Sequence, residues 1–462
     1  MKIEQRELPD FDKLQRYPSV TKAEVDNRYA KFVEKMGEMD LSHIIIYGDR
    51  EHFANLSYLT GGFDSRFEES LLIVSTHNPP LLITGNEGYS YSDISLLDIK
   101  KELFQTFSLQ GQTRDKKKLL QKVFAESGIG NKSSIGIIGM KYYEEGEVKD
   151  PRRTFDIPHY IVEEILEIVP IDRVENVTSM MTGPAGGLRC KVDEHDIARS
   201  ESMGNYLSNQ MKNVINNLEP GISEAEALSA FRYLGLPFTV HPVVNFGTQR
   251  VLMGLASPSF ERRLELGDPV SIAFGLEGAN IARTGYAVSS EQEFSKSRKD
   301  IVEDFFFPYF EALKSWYEGL SIGARAKVIY DTVMKVNRRS NLGISLNPGH
   351  QIHMEEWINS PFRNDHEYTL HSGMALQCDI IAFPGEPYVG VHVEDTVILA
   401  DAKLREDLKS SYPECWNRIE RRREFMINTL GISLAEDVLP LSNLPAVLQP
   451  YMLKPNYIVT SR

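Results

Sequence analysis

The chain has 462 residues, more than one hydrophobic core usually serves, so two domains of ordinary size are expected. With 42% hydrophobic residues it is a folded protein, and its 65 acidic against 51 basic residues give a formal charge of −14 that repels phosphate backbones and anionic lipid. Nucleic acid and membrane surfaces are therefore excluded as first partners, and three scattered cysteines, Cys190, Cys378 and Cys415, exclude a disulfide framework and a thiolate zinc site.

The opening Met1-Lys2-Ile3-Glu4-Gln5 has no apolar signal core, and no later run reaches the ~18 apolar residues of a membrane helix. A cytoplasmic location is the expectation. An amphipathic helix is predicted over Tyr29 to Met39, followed by strands at Ile44 to Tyr47, Ser70 to Val74, Pro80 to Thr84 and Ile135 to Ile138, with a helix over Lys116 to Glu126. This alternation predicts an α/β domain over 1–183. The small, flexible run Thr182-Gly183-Pro184-Ala185-Gly186-Gly187 marks the junction.

A second domain is predicted over 184–400, with 401–462 as its C-terminal extension. It opens with a long helix from Asp193 to Asn217, stopped at Pro220-Gly221, after which Ser223 and Glu226 form a capping box. Strands are predicted at Phe238 to Val244, Pro269 to Ala273, Met374 to Ile381 and Glu394 to Leu399, with a helix over Asp300 to Tyr317. That order suits an α+β layer, an antiparallel sheet backed by helices. The extension reads as a helix followed by an irregular tail, and the runs Lys116 to Lys118 and Arg421 to Arg423 read as solvated helix faces.

Several segments, in order, are similar to the landmarks of the pita-bread superfamily of creatinase, prolidase and the Xaa-Pro and methionine aminopeptidases. They are Arg189-Cys190-Lys191-Val192-Asp193-Glu194, Leu218-Glu219-Pro220-Gly221, Leu266-Gly267-Asp268, Asn347-Pro348-Gly349-His350, Gly373-Met374 and Val393-Glu394-Asp395-Thr396-Val397. In the first domain, Leu56-Ser57-Tyr58-Leu59-Thr60-Gly61 resembles the family's "YLTG". Each match is short, and their order gives them weight.

The resemblance implies a site in which two Asp, one His and two Glu hold two divalent ions. Here Ala273 and Asn280 stand at the two aspartate positions, while His350, Asp379 and Glu394 remain. One His and two carboxylates suffice for a single metal ion with an open position, and not for a two-metal clamp; without metal they form a polar cluster. The creatinase pattern is not met either, because Ala256 and Ala282 replace its histidine and glutamate. His353 or His241 is then the expected proton shuttle, with Glu355 on the same segment as His350 and His353, and His392 two residues before Glu394.

Arg283, at the family's "RT" position, is the expected anchor for a substrate carboxylate, with Arg250 as an alternative and a structural ion pair as the competing role. The resemblance also implies a homodimer in which Phe63 and Arg66, on the loop after "YLTG", reach the partner's site. The reading is a hydrolase cleaving a C–N bond in a small amino-acid-derived or dipeptide-like substrate, with one divalent metal ion or none. The alternative is an inactive relative that uses the groove to bind a peptide or protein.

Overall fold

In a computed structural model, which describes residues 1–11 and 17–462, the chain forms two compact units. Ser19–Arg189 make one, and Met1–Pro18 together with Cys190–Arg462 make the other. The sequence places the break at Gly183; the units part six residues later, and the first residues group with the C-terminal unit. Fifteen strands are described. In chain order they are β1 (Lys2–Gln5), β2 (His43–Gly48), β3 (Ser70–Ser75), β4 (Leu81–Thr84), β5 (Lys100–Leu103), β6 (Ile135–Ile138), β7 (Val174–Asn176) and β8 (Phe238–Phe246). There follow β9 (Pro269–Leu276), β10 (Ala279–Tyr286), β11 (Gly349–Gln351), β12 (Ala375–Gly385), β13 (Val389–Leu399), β14 (Val438–Pro440) and β15 (Tyr457–Thr460).

The N-terminal unit is an α/β layer on a six-stranded mixed sheet in the order β5-β4-β3-β2-β6-β7. Its central strands β2, β3 and β6 are buried along their whole length, as burial from both faces demands, while the edge strands β5 and β7 carry charged and polar residues; Ile45, Leu71, Phe124, Ile137 and Ile161 meet in one core. The first helix starts at Lys22, seven residues before the sequence expectation. Thr21 caps it and Glu24 returns the bond to the Thr21 amide, a capping box that precedes the apolar stripe Val25, Phe32, Met36.

The C-terminal unit is built on an antiparallel sheet in the order β11-β12-β13-β10-β9-β8, with β14 added beside β13. The long helix Glu194–Asn216, started by an Asp193 capping box, lies across β9 and β10. Its Leu207 and Met211, with Phe310 and Trp316 of the helix Phe307–Gly319, pack on Ile272, Phe274, Ile281, Ile380 and Val393. That apolar layer claims alternate residues of each strand and leaves the other alternates on the opposite face. Residues β9 and β10 turn on Glu277-Gly278 alone; Gly278 has φ +79°, and a Cβ there would lie 2.6 Å from Ser200 Oγ.

The C-terminal extension is more ordered than the sequence suggests. Helices Ala402–Ser411 and Pro413–Phe425 are followed by β14, and β15 pairs with β1. The solvated-face reading of Arg421 to Arg423 is corrected here. Arg422 is fully buried and shares Glu201 with Arg418, which donates from Nε at 2.9 Å, while Arg422 Nη1 lies 2.6 Å from Glu201 Oε1. Consecutive helical residues point about 100° apart, so a run of three spreads over about 200° and can bring one of them inward, where Glu201 makes the buried charge of Arg422 tolerable. Among the described residues no helix is long and apolar enough to cross a membrane.

Candidate functional site

Strand register puts the chemistry in one row. Ala273 on β9 faces Ala282 on β10, Ala282 faces Glu394 on β13, and Glu394 faces Asp379 on β12. Cross-strand partners share a face, so two methyl groups and two carboxylates form a continuous line on the side away from the apolar helix layer. His350 on β11 pairs with Gln377, two residues from Asp379, and so joins the same face. His392 and Asn280, two residues from Glu394 and Ala282, lie there as well.

Three lone-pair donors converge. His350 Nε2 is 3.8 Å from Asp379 Oδ2 and 3.7 Å from Glu394 Oε1, and the three ligand atoms all lie within 4.8 Å of one another. The His350 Nδ1–H donates to the Gln351 carbonyl at 3.2 Å, which fixes Nε2 as the acceptor facing the carboxylates. His350 Nε2 and Glu394 Oε1 are buried with no hydrogen-bond partner among the described residues. Ligand atoms about 2.1 Å from a zinc ion at tetrahedral angles are roughly 3.4 Å apart. The residues present therefore fit a single divalent cation with His350, Asp379 and Glu394 as ligands.

Burial and mutual contact set different protonation preferences within the cluster. Burial holds the His350 ring below its usual pKa, so it is a neutral lone-pair donor. Burial, and then the charge of Asp379, push the Glu394 carboxyl well above the usual range. Asp379 behaves differently: burial opposes its charge, but the hydrogen bond from His392 Nε2 at 2.6 Å overcomes this and holds it low. His392 is correspondingly raised, its burial outweighed by that same bond. His392 thus orients Asp379 and holds it charged, while burial and that charge favour the protonated form of Glu394.

The other expected residues are distributed as follows. His353 follows on the loop after β11, nearly buried, with its carbonyl accepting from the Gly278 amide at 2.7 Å. His241 is exposed on β8, and its Nε2 lies 2.9 Å from the Leu255 carbonyl. Arg283 is not on the site face. It follows Ala282 by one residue, so strand alternation turns it to the opposite side, where its Nη2 donates to both oxygens of Asp395 at 2.8 Å. Fully buried and committed to Asp395, Arg283 is a structural ion pair and gives no anchor to a ligand on the row.

Arg250 is likewise engaged, its Nε donating to Glu224 at 2.7 and 2.9 Å. In the N-terminal unit, Phe63 is buried against Tyr91 with ring centroids 5.3 Å apart, and Arg66 pairs with Asp64 and lies 4.0 Å over the Phe53 ring.

Two residues of the site escape the sequence reading. Trp357 stacks on His350 with ring centroids 4.1 Å apart and planes 17° from parallel. Glu356 is half-buried and raised in pKa by burial, and feels His350, Asp379, His392 and His241. A pair of adjacent glutamates before a tryptophan carries no periodic signal; the only available hint was their closeness to His350.

Residues 203–401 match the model of metallopeptidase family M24. Among solved structures, the chain is similar to the prolidase from Pyrococcus horikoshii OT3, with a TM-score of 0.61 at 19% identity over 81% of this chain and 95% of that one. It is similar to the Xaa-Pro dipeptidase from Bacillus anthracis, with 0.60 at 16% over 82% and 96%. It is also similar to an aminopeptidase P variant from Escherichia coli, with 0.57 at 16% over 87% and 100%. At these identities the likeness is one of fold. No curated protein sequence matches the chain.

Proposed function

Starting from the pita-bread fold of the creatinase and prolidase superfamily, which this chain has, we propose a hydrolase that cleaves a C–N bond in a small amino-acid-derived or dipeptide-like substrate. Its centre is His350, Asp379 and Glu394, without the five-ligand, two-metal arrangement. The observation that carries this reading is the convergence of three lone-pair donors, two of them on atoms without a partner among the described residues. His350, Asp379 and Glu394 would hold a single divalent cation, which when bound would supply Lewis acidity for an amide carbonyl and a water.

The chain itself does the rest. The Gln351 carbonyl holds the tautomer of His350, and His392 holds Asp379 ionised and aimed. Of the two proton shuttles expected, His241 is the better placed to exchange with solvent, because it is exposed whereas His353 is buried. Trp357 covers one face of His350 and shields the ligand from water.

The second reading, a groove that binds a peptide or protein without turnover, is favoured by one observation: Ala273 and Asn280, on the same sheet face as the cluster, offer no carboxylate where the two aspartates of a two-ion site would stand. Metal content separates the two. Mass spectrometry of protein purified without chelator and then incubated with Zn²⁺, Mn²⁺ or Co²⁺ is expected to find about one ion per chain, lost in His350→Ala, and a dipeptide and amide panel then tests turnover. No bound ion under any loading, with no hydrolysis across the panel, would leave the binding-only reading. The homodimer expected from the resemblance is checked by light scattering.

A further inference from the structure

The N-terminal unit holds a cleft of about 450 Å³ between the segment that follows the helix Phe53–Thr60 and the short helix Asn86–Tyr91. That volume is within the range that takes small molecules. Its walls are held by specific bonds. The Phe63 amide donates to Thr60 Oγ1 at 3.1 Å and Ser65 Oγ to the Asp49 carbonyl at 3.0 Å, which pins the segment. Across the cleft, Glu68 Oε2 accepts from the Glu87 and Gly88 amides at 2.9 and 2.8 Å, and Ser108 Oγ accepts from the Asn86 amide at 2.8 Å. These bonds fasten the helix to the segment and satisfy the amides of its first turn, so nothing there is left to hold an anion.

Three aromatic rings line the cleft. Phe63 and Tyr91 lie with ring centroids 5.3 Å apart, and Phe67, 63% exposed, stands at the open side. Charge along the wall is unbalanced. Arg66 is the one cation among the described lining residues, and it is engaged by Asp64, with Nε at 2.9 and 2.8 Å and Nη2 at 2.6 Å, while its guanidinium covers the Phe53 ring. That pair is neutral as a whole. Glu68 and Glu87 remain, neither in an ion pair among the described residues, and Glu87 Oε1 accepts only from Gln112 Nε2 at 3.1 Å. Glu68 is 6% exposed, and its second oxygen, Oε1, is buried with no hydrogen-bond partner among the described residues. An unpaired buried carboxylate oxygen costs more than about 1 kcal/mol, and a donor seated in the cleft is the partner it lacks. A cation with an N–H meets that oxygen and the aromatic faces together. An anion would meet two carboxylates and an arginine already in use.

We propose that this cleft binds a small organic cation bearing an N–H donor, an alkylammonium or alkylguanidinium, with Glu68 as its hydrogen-bonding counter-charge, Glu87 as a second negative charge and Phe63, Phe67 and Tyr91 as its aromatic wall. The site goes beyond the hydrolytic reading and does not need it. Calorimetric titration of the full-length protein, without added metal, with n-butylammonium chloride, n-butylguanidinium chloride, sodium butyrate and n-butanol is the test. Saturable binding of at least one of the two cations is expected, at about one per chain, with none for butyrate or butanol. Glu68→Gln keeps an oxygen for the helix amides while removing the charge, and should weaken binding about tenfold. Phe67→Ala, at an exposed position, should weaken it about threefold. His350→Ala should bind the cation like the wild type.

No saturable binding of either cation would overturn the proposal, as would butyrate binding as tightly as the cations. Wild-type affinity in a folded Glu68→Gln variant would overturn it too, and so would loss of binding in His350→Ala, since the cation would then sit on the sheet of the C-terminal unit. Should Glu68→Gln not fold, the double variant of Phe67→Ala with Glu87→Gln, both at exposed positions, decides instead. Binding weakened about fivefold supports the site, and unchanged binding overturns it.

Discussion

Replacing His392 isolates what one ligand of the site owes to its neighbour. Its Nε2–H meets Asp379 Oδ1 at 2.6 Å, with both side chains almost wholly buried. At an effective dielectric near 20, opposite charges about 4 Å apart attract by about 4 kcal/mol. Water entering the space vacated by the imidazole recovers part of this, so His392→Ala is expected to destabilise the C-terminal unit by about 3 kcal/mol. His392→Gln restores a donor without the charge and should lose about 2 kcal/mol. Urea denaturation followed by tryptophan fluorescence reads both, since Trp316 is buried in this unit. Zinc affinity should fall about 10- to 100-fold in the alanine variant, because Asp379 is no longer aimed. Stability of the alanine variant within about 0.5 kcal/mol of wild type, at unchanged zinc affinity, would refute the assignment.

In the N-terminal unit, burial alone would lower His52, but its bonds to Asp156 and Asp49 hold its pKa at about 9. The stabilisation is complete below the free-imidazole value of about 6.5 and is lost as pH rises through about 9, so the wild-type advantage over His52→Ala should shrink by about 2 kcal/mol across that window. Parallel pH–stability curves for the two would contradict this. Glu201→Ala strands the buried charges of Arg418 and Arg422 and should cost about 3–5 kcal/mol by chemical denaturation; a loss under about 1 kcal/mol would show that the pair relaxes to other partners. Restoring carboxylates with Ala273→Asp and Asn280→Asp together should raise bound Mn²⁺ from about one to two per chain by mass spectrometry, and a count that stays at one would mean the row's missing ligands do not decide the stoichiometry.

Much of the fold was legible because its signals are local or ordered along the chain. The capping box at Ser223 and Glu226 and the helix opening at Asp193 are three-residue patterns set by the orphan amides of a helix start. The antiparallel sheet followed from the order of its landmarks. Within the site, His350, Asp379 and Glu394 were found by position, and the structure brings them together. Arg283 was misplaced although the sequence held the answer, since period-two alternation already separates it from Ala282. Glu356 and Trp357 were not legible, because a loop of irregular backbone has no period to read. The three residues of β14 and the pairing of β15 with β1 were hidden for a related reason: strands that short are defined by distant partners, not by their own pattern.

The parity of β13 has a consequence for how this protein tolerates change. Glu394 and Asp395 are neighbours in sequence and work on opposite sides of a wall, one in the pocket and one against Arg283. Substitution of either leaves the other in place. Insertion or deletion of a single residue between His392 and Glu394 would exchange them, delivering Asp395 or a valine to the pocket and a glutamate to the interior ion pair. Along this strand, length is guarded more strictly than composition: drift by substitution can retune the pocket one residue at a time, while any change of frame spoils function and stability together.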